Sequence, residues 1–239
     1  MNPVEVEDAR EIVKVVKRAS GKLKKSQVVV CPPFVYLSLF SKSKGGNFFL
    51  GAQNANTEML GSFTGEVSYS MLYQFGVRFV ILGHSERRKM GESDDLINKK
   101  VKSVVNSGMS AIVCVGESTR DHNGDYLEFI KNQILLALRD VPKKLLGQIV
   151  IAYEPIWAIG ASQAMNSRDL HEMSIFIKKV LKDSFGFSSD DTRIIYGGAV
   201  DRVNADLLIK EGNVSGFLIG RQSLVPKDFV EIMKLVDGA

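Results

Sequence analysis

Two hydrophobic patterns alternate along this 239-residue chain. One is a short run of consecutive apolar, mostly β-branched residues, as a strand buried on both faces requires. The other places apolar residues three and four positions apart, the mark of a helix with one buried face. The first predicts strands at residues 27–31 (QVVVC), 47–54 (NFFLGAQN), 77–85 (VRFVILGHS), 110–118 (SAIVCVGES), 148–155 (QIVIAYEP), 192–198 (TRIIYGG) and 216–220 (GFLIG). The second predicts helices at 34–42, 65–76, 94–107, 125–139, 168–185, 201–211 and 227–236. The chain itself opens on a helical pattern. Ala9, Ile12, Val13 and Val16 recur at helical spacing, with Asn2 as N-cap, Pro3 at the first helical position and Glu5 as the acid of a capping box.

One helix followed by seven strand–helix pairs argues a parallel sheet with helices outside it. Such units close into an eight-stranded (β/α)8 barrel or lie open as a doubly wound sheet. No G-x-G-x-x-G follows the first strand, which favours the barrel, though it counts one strand short. The units follow one another without a linker, so residues 1–239 read as a single domain.

Composition narrows the choices a little further. Hydrophobic residues make up 45% of the chain, enough for one large core, and the net charge of +4 suits an anionic small molecule or a plain solvated surface. Basic residues are scattered without interleaved aromatics, so no nucleic-acid partner is expected. Cys31 and Cys114 lie in apolar runs without zinc spacing, which points to free buried thiols in a reducing cytoplasm and to no metal. No apolar run is long enough to span a membrane, and the charged N-terminal residues do not form a signal sequence.

Candidate chemistry collects at the C-terminal ends of the strands, the edge on which barrel enzymes build their sites. Gln53, Asn54, Glu117, Gly160, Gly197 and Gly198 all fall there. A single histidine is more often structural than catalytic, but His84 ends an apolar strand, with Ser85 and Glu86 opening the next segment. The positive end of a helix there would disfavour imidazolium, leaving a neutral ring able to donate a hydrogen bond to a carbonyl. Glu154 ends another strand between apolar neighbours. An ion pair is the ordinary reading, yet burial would raise its pKa and make it a base. Residues 155–164 after it form a candidate lid. One Glu with one His suits proton abstraction beside a carbonyl. Glycines in YGGAV and LIGRQSL, ending the last two strands, allow backbone N–H groups to surround a phosphate.

The stretches GHSERR, YEPIWAIG, YGGAV, CVGE, and GAQN with GSFTGEVS together resemble the triosephosphate isomerase family, in order along the whole chain. The resemblance implies a cytosolic, dimeric, glycolytic TIM-barrel enzyme that interconverts dihydroxyacetone phosphate and glyceraldehyde 3-phosphate without a cofactor. It implies Glu154 as the base, His84 as the neutral electrophile and Glu86 as an acidic residue of the same motif. Main-chain N–H groups of Gly160, Ala199, Gly220 and Arg221 would hold the phosphate, and the loop carrying Thr64 would dock into a partner subunit.

Some positions depart from the family pattern. The far hinge of the lid, usually Thr-Gly-Lys-Thr, is Ala161, Ser162, Gln163 and Ala164. Ala199 replaces a Ser, and Arg221 replaces one of two glycines. The family's first strand ends in Asn-Trp-Lys-Met-Asn, and Met1 and Asn2 match the end of that motif. The first strand, with the catalytic Lys, is thus expected upstream of residue 1. Loss of one such preorganised charge costs on the order of 100–1000-fold in rate, so low activity and ready aggregation are expected of residues 1–239 alone. Two alternatives stand beside this reading. One is a non-catalytic barrel of the same family that only binds phosphorylated ligands. The other is a different phosphate-binding barrel enzyme, which would share the glycine turns but not YEPIWAIG or GHSERR.

Overall fold

Among the described residues, seven parallel strands pair strictly in chain order. They are β1 (Val28–Val30), β2 (Phe48–Ala52), β3 (Val77–Leu82), β4 (Ser110–Val115), β5 (Ile149–Tyr153), β6 (Arg193–Tyr196) and β7 (Gly216–Phe217). A computed structural model provides this view and describes residues 1–41, 45–159, 164–188 and 192–239. The sheet curls on itself, because Val29 of β1 and Phe217 of β7 line one shared cavity of about 870 Å³. The helices are α1 (Val6–Ser20), α2 (Phe34–Phe40), α3 (Tyr69–Gln74), α4 (Ser85–Lys89), α5 (Asp94–Asn106), α6 (Asp125–Ala137), α7 (Ser167–Phe185), α8 (Ala205–Glu211) and α9 (Pro226–Gly238). This is the α/β architecture that the alternating patterns predict, a curled parallel sheet of the TIM-barrel kind.

Two apolar layers result. The larger lies between sheet and helices. It includes Val28, Val30, Leu50, Val80, Leu82, Val113, Ile149 and Ile151 from the strands, and Ile12, Ile97 and Ile177 from the helices. The smaller fills the inside of the curl with Ile81, Ile112, Cys114, Val150 and Ala152. Alternation along each strand sends one set of side chains to each layer, which explains why the strands read as unbroken apolar runs.

The first helix starts later than its sequence signals suggest. Glu5 is its N-cap residue and no side chain caps it. The carbonyls ahead of it are taken by tertiary bonds: Tyr36 Oη donates to Val4 O at 2.6 Å and Gln53 Nε2 donates to Met1 O at 2.6 Å. These contacts hold residues 1–5 outside the helix, so Asn2 and Pro3 serve as lead-in and not as cap. At the other end of the chain, Asp237 accepts backbone N–H bonds from Lys24, Lys25 and Ser26, which pin α9 beside the entrance to β1 and lower its carboxyl to about 2. No helix among the described residues is long and apolar enough to cross a membrane.

Candidate active site

Glu154 follows β5 directly and is almost fully buried, at 2% exposure. Burial drives its carboxyl pKa above the ordinary value; the nearby His84, the Cys114 thiol, the Ser85 N–H and Arg88 only partly offset this. Ser85 N–H approaches Oε2 at 3.4 Å, and His84 Nε2 stands 3.3 Å from Oε1. The sequence makes this fit possible through glycine. A Cβ on Gly197, just past β6, would lie 2.7 Å from Glu154 Cγ, so any larger residue there displaces the carboxylate.

His84 caps α4. The Glu86 backbone N–H donates to His84 Nδ1 at 3.3 Å. With Nδ1 accepting, the ring proton belongs on Nε2, where it faces Glu154. The Glu86 side chain itself turns outward and is 77% exposed, with Oε2 3.8 Å from Nδ1. The structure therefore joins Glu154 and His84 closely, while Glu86 meets the pair through its backbone.

Glu117, at the end of the β4 segment, collects three donors. Tyr153 Oη reaches Oε1 at 3.0 Å, Trp157 Nε1 at 2.9 Å and Arg120 Nε at 3.0 Å. Trp157 lies in a short 3-10 turn, Ile156–Ala158, at the start of the candidate lid. On the far side, Met165 N–H donates to Tyr196 Oη at 3.0 Å. The described flanks of the candidate lid are thus tied to Glu117, just past β4, and to Tyr196 of β6. Gly160 and the hinge positions Ala161, Ser162 and Gln163 lie outside the described residues.

The two glycine turns follow adjacent strands β6 and β7. Ala199 sits in the first, its carbonyl accepting from Asn204 Nδ2 at 2.9 Å. Gly220 and Arg221 sit in the second, both exposed, and Arg221 opens a 3-10 turn, Arg221–Leu224. Ser223 N–H and Oγ both donate to Gly220 O, at 3.0 and 2.6 Å, and so fix that turn. Of the earlier strand-end candidates, Gln53 bridges the carbonyls of Met1 and Cys31, at 2.6 and 2.9 Å. Asn54 turns to the buried Lys100, whose Nζ donates to its Oδ1 at 2.9 Å.

The arrangement is a buried carboxylate with an imidazole beside it and two open backbone turns, on one edge of a parallel barrel-like sheet. Comparison with known proteins shows the family. The family model for triosephosphate isomerase matches residues 1–236. The chain belongs to the triosephosphate isomerase family. It is 42% identical to the triosephosphate isomerase of Thermoanaerobacter sp. (strain X514), over 93% of this chain and 92% of that protein. It is 38% identical to that of Alkaliphilus oremlandii (strain OhILAs), over 94% and 93%. For Idiomarina loihiensis the identity is 36%, over 96% and 94%.

Three residues that support this isomerase-family site were not singled out from sequence. Arg120 pairs with Glu117, and its guanidinium lies over the Trp157 ring at 5.5 Å. Lys100 bonds buried Glu92 at 2.5 Å, and Glu92 also accepts from Arg87, two residues from Ser85. Lys100 carried a readable signal. It stands among Ile97, Val101 and Val104 on the buried stripe of α5, where a lysine needs a partner. Tyr196, as an apolar strand residue, gave none.

Proposed function

We propose that this chain is a triose-phosphate isomerase, interconverting dihydroxyacetone phosphate and glyceraldehyde 3-phosphate through an enediolate. The observation that carries the reading is the buried Glu154 carboxylate with His84 Nε2 only 3.3 Å from Oε1. A carboxylate of raised pKa is a base of useful strength near neutral pH. It takes the proton from the carbon beside the carbonyl and returns it to the neighbouring carbon. Nε2–H donates to the carbonyl oxygen as charge develops there and passes protons between the two oxygens. Glu86 acts as a positioning residue, its N–H fixing the ring's tautomer.

The phosphate is held by backbone N–H groups of Ala199, Gly220 and Arg221, joined by Gly160 from the lid. Gly220 supports this reading, because space for a Cβ is open there and the backbone is accessible to an anion. Closure of residues 155–164 excludes water from the enediolate. The reaction is a proton shift, so no cofactor takes part. The working unit under this reading is a homodimer formed through the loop that carries Thr64. Its setting is the cytosol, where Cys31 and Cys114 stay reduced.

The test is turnover of glyceraldehyde 3-phosphate by the purified chain, with Glu154→Gln alongside. Isomerisation by the parent, slow as expected of residues 1–239 alone, and a further loss of at least about 100-fold in the variant are expected. A chain that binds a triose-phosphate analogue yet turns over no faster than the variant would overturn the catalytic reading in favour of a phosphate-binding barrel.

A further inference from the structure

We propose that the groove between α3 and α5 is a binding site for a purine nucleoside phosphate. The groove encloses about 660 Å³, and residues 57–59 complete its walls. Sites for small organic molecules run from roughly 300 to 1,000 Å³, so a nucleotide fits. None of its lining residues belongs to the site around Glu154. The walls are held in place without a ligand. Ser103 Oγ of α5 donates to Thr57 O at 2.8 Å, and Ser70 Oγ of α3 donates to Met59 O at 3.2 Å. A groove tied in this way is preformed, so a ligand meets little ordering cost there.

The α5 wall supplies the charge. Lys99 and Lys102 stand one turn apart and both line the groove. Residues at that spacing are neighbours on a helix surface, and like charges there destabilise it. Other surface lysines of this chain have a carboxylate one turn away, as Lys14 has Glu11, Lys131 has Glu128 and Lys210 has Asp206. Lys99 and Lys102 have no ion-pair partner among the described residues. Asp95, one turn before Lys99, is taken by Arg139 at 2.8 Å. Glu58 is the one carboxylate lining the groove, and it accepts from Thr57 Oγ1 at 3.3 Å. A phosphate bound between the two ammonium groups removes their repulsion and forms charge-assisted hydrogen bonds with both.

The α3 wall is neutral and aromatic. Tyr69 and Tyr73 line it one turn apart, and the Arg78 guanidinium lies 4.6 Å from the Tyr73 ring centroid, which steadies that ring. Aromatic rings of this kind hold a base by stacking. Gln74 on this wall and Asn106 on the other each present an amide with no hydrogen-bond partner among the described residues. An amide sets a donor beside an acceptor, the pattern that pairs with the N6 and N7 edge of adenine. Inorganic phosphate uses the lysines alone, and a free nucleoside uses the rings and amides alone. A purine nucleoside phosphate uses all three.

Isothermal titration calorimetry of the full chain tests this with adenosine monophosphate, beside adenosine, ribose 5-phosphate and inorganic phosphate. Hydrogen exchange read by mass spectrometry locates the nucleotide on the unsubstituted chain. Saturable binding of adenosine monophosphate with a Kd below about 1 mM is expected, at least about tenfold tighter than each of the three fragments. Exchange should slow at residues 69–74 and 99–107. Lys99→Glu combined with Lys102→Glu should weaken binding at least about tenfold while the far-ultraviolet circular dichroism stays that of the parent. Any of four results overturns the proposal: no saturation by about 10 mM, a fragment that binds as tightly as the nucleotide, protection confined to other segments, or a folded double variant that binds as the parent does. The exchange map needs no variant, so a double variant that fails to fold leaves the test standing. Neither readout involves turnover, so the result is independent of the isomerase reading.

Discussion

At Glu154 the chemistry and the stability of the protein pull in opposite directions. Burial raises its pKa, so the folded state holds the proton more tightly than the unfolded chain does. The stability this confers is complete below the unfolded pKa of about 4.3 and is lost as pH rises through the higher folded value. At neutral pH the ionised carboxylate is therefore a cost to folding, while it is the form that the proposed reaction needs as base. Two outcomes follow for Glu154→Gln. Denaturant titrations should find it more stable than the parent at pH 7–8, with the difference vanishing below about pH 4. The parent's kcat/KM should fall on the acid side with an inflection above the ordinary carboxylate range. A variant less stable than the parent at every pH would refute this account of the carboxylate. The sequence pointed to Glu154 and His84 because each ends an apolar strand, and the structure brings the two together. It could not disclose that Gly197 makes room for the one, or that the Glu86 N–H orients the other, because both contacts depend on three-dimensional approach.

The elements were legible because their patterns are local. Apolar runs gave seven strands and spaced apolar positions gave the helices between them, and the structure has them in that order. Legibility failed where distant groups compete for the backbone, as at residues 1–5, where Tyr36 and Gln53 claim the carbonyls of Val4 and Met1. It failed again at the buried ions that lock elements together. Lys100 of α5 bonds Glu92 after α4 and Asn54 after β2, and so fixes the turn that carries His84. Burial alone would raise the Glu92 pKa, but Lys100 and Arg87 outweigh it and hold the carboxyl below its ordinary value. Lys100→Met leaves that carboxylate with one partner, and breaking such a buried pair costs about 3–5 kcal/mol. For a chain of this length that is a fall in Tm of roughly 6–20 °C. A lowered carboxyl stabilises above its unfolded pKa and ceases to do so as pH falls through the folded value. The gap between parent and variant should accordingly narrow in calorimetry below about pH 4. Adding Glu92→Leu should recover much of the loss at neutral pH, since the charge then left without its partner, Arg87, is a third exposed and can be hydrated; a double variant as weak as the single one would show that packing, and not charge, set the cost.

At the scale of the whole molecule, the surface between β2 and α3 is at odds with a chain that works alone. Leu60 is 77% exposed, and Met59 and Phe63 are about half exposed, all on one loop. Scattered apolar side chains on a surface need no explanation, but three on one loop form a patch that water disfavours. A second copy of the chain is the simplest cover, because a two-fold pairing buries the same loop on both subunits at once. The loop is also anchored as a docking element would be. Asn56 N–H donates to Val67 O at 2.8 Å across its base, and Ser103 Oγ of α5 donates to Thr57 O at 2.8 Å, so ordering it on association costs little entropy. Sedimentation velocity at micromolar concentration should give about twice the chain mass of 26.4 kDa. Replacing Leu60 and Phe63 together by Asp places charges where the patch must be desolvated and should shift the boundary to a single chain. Because neither side chain contributes to the buried core, the variant should keep the parent's far-ultraviolet circular dichroism. A parent that sediments as one chain, or a double variant that still sediments as two, would exclude this loop as the dimer contact.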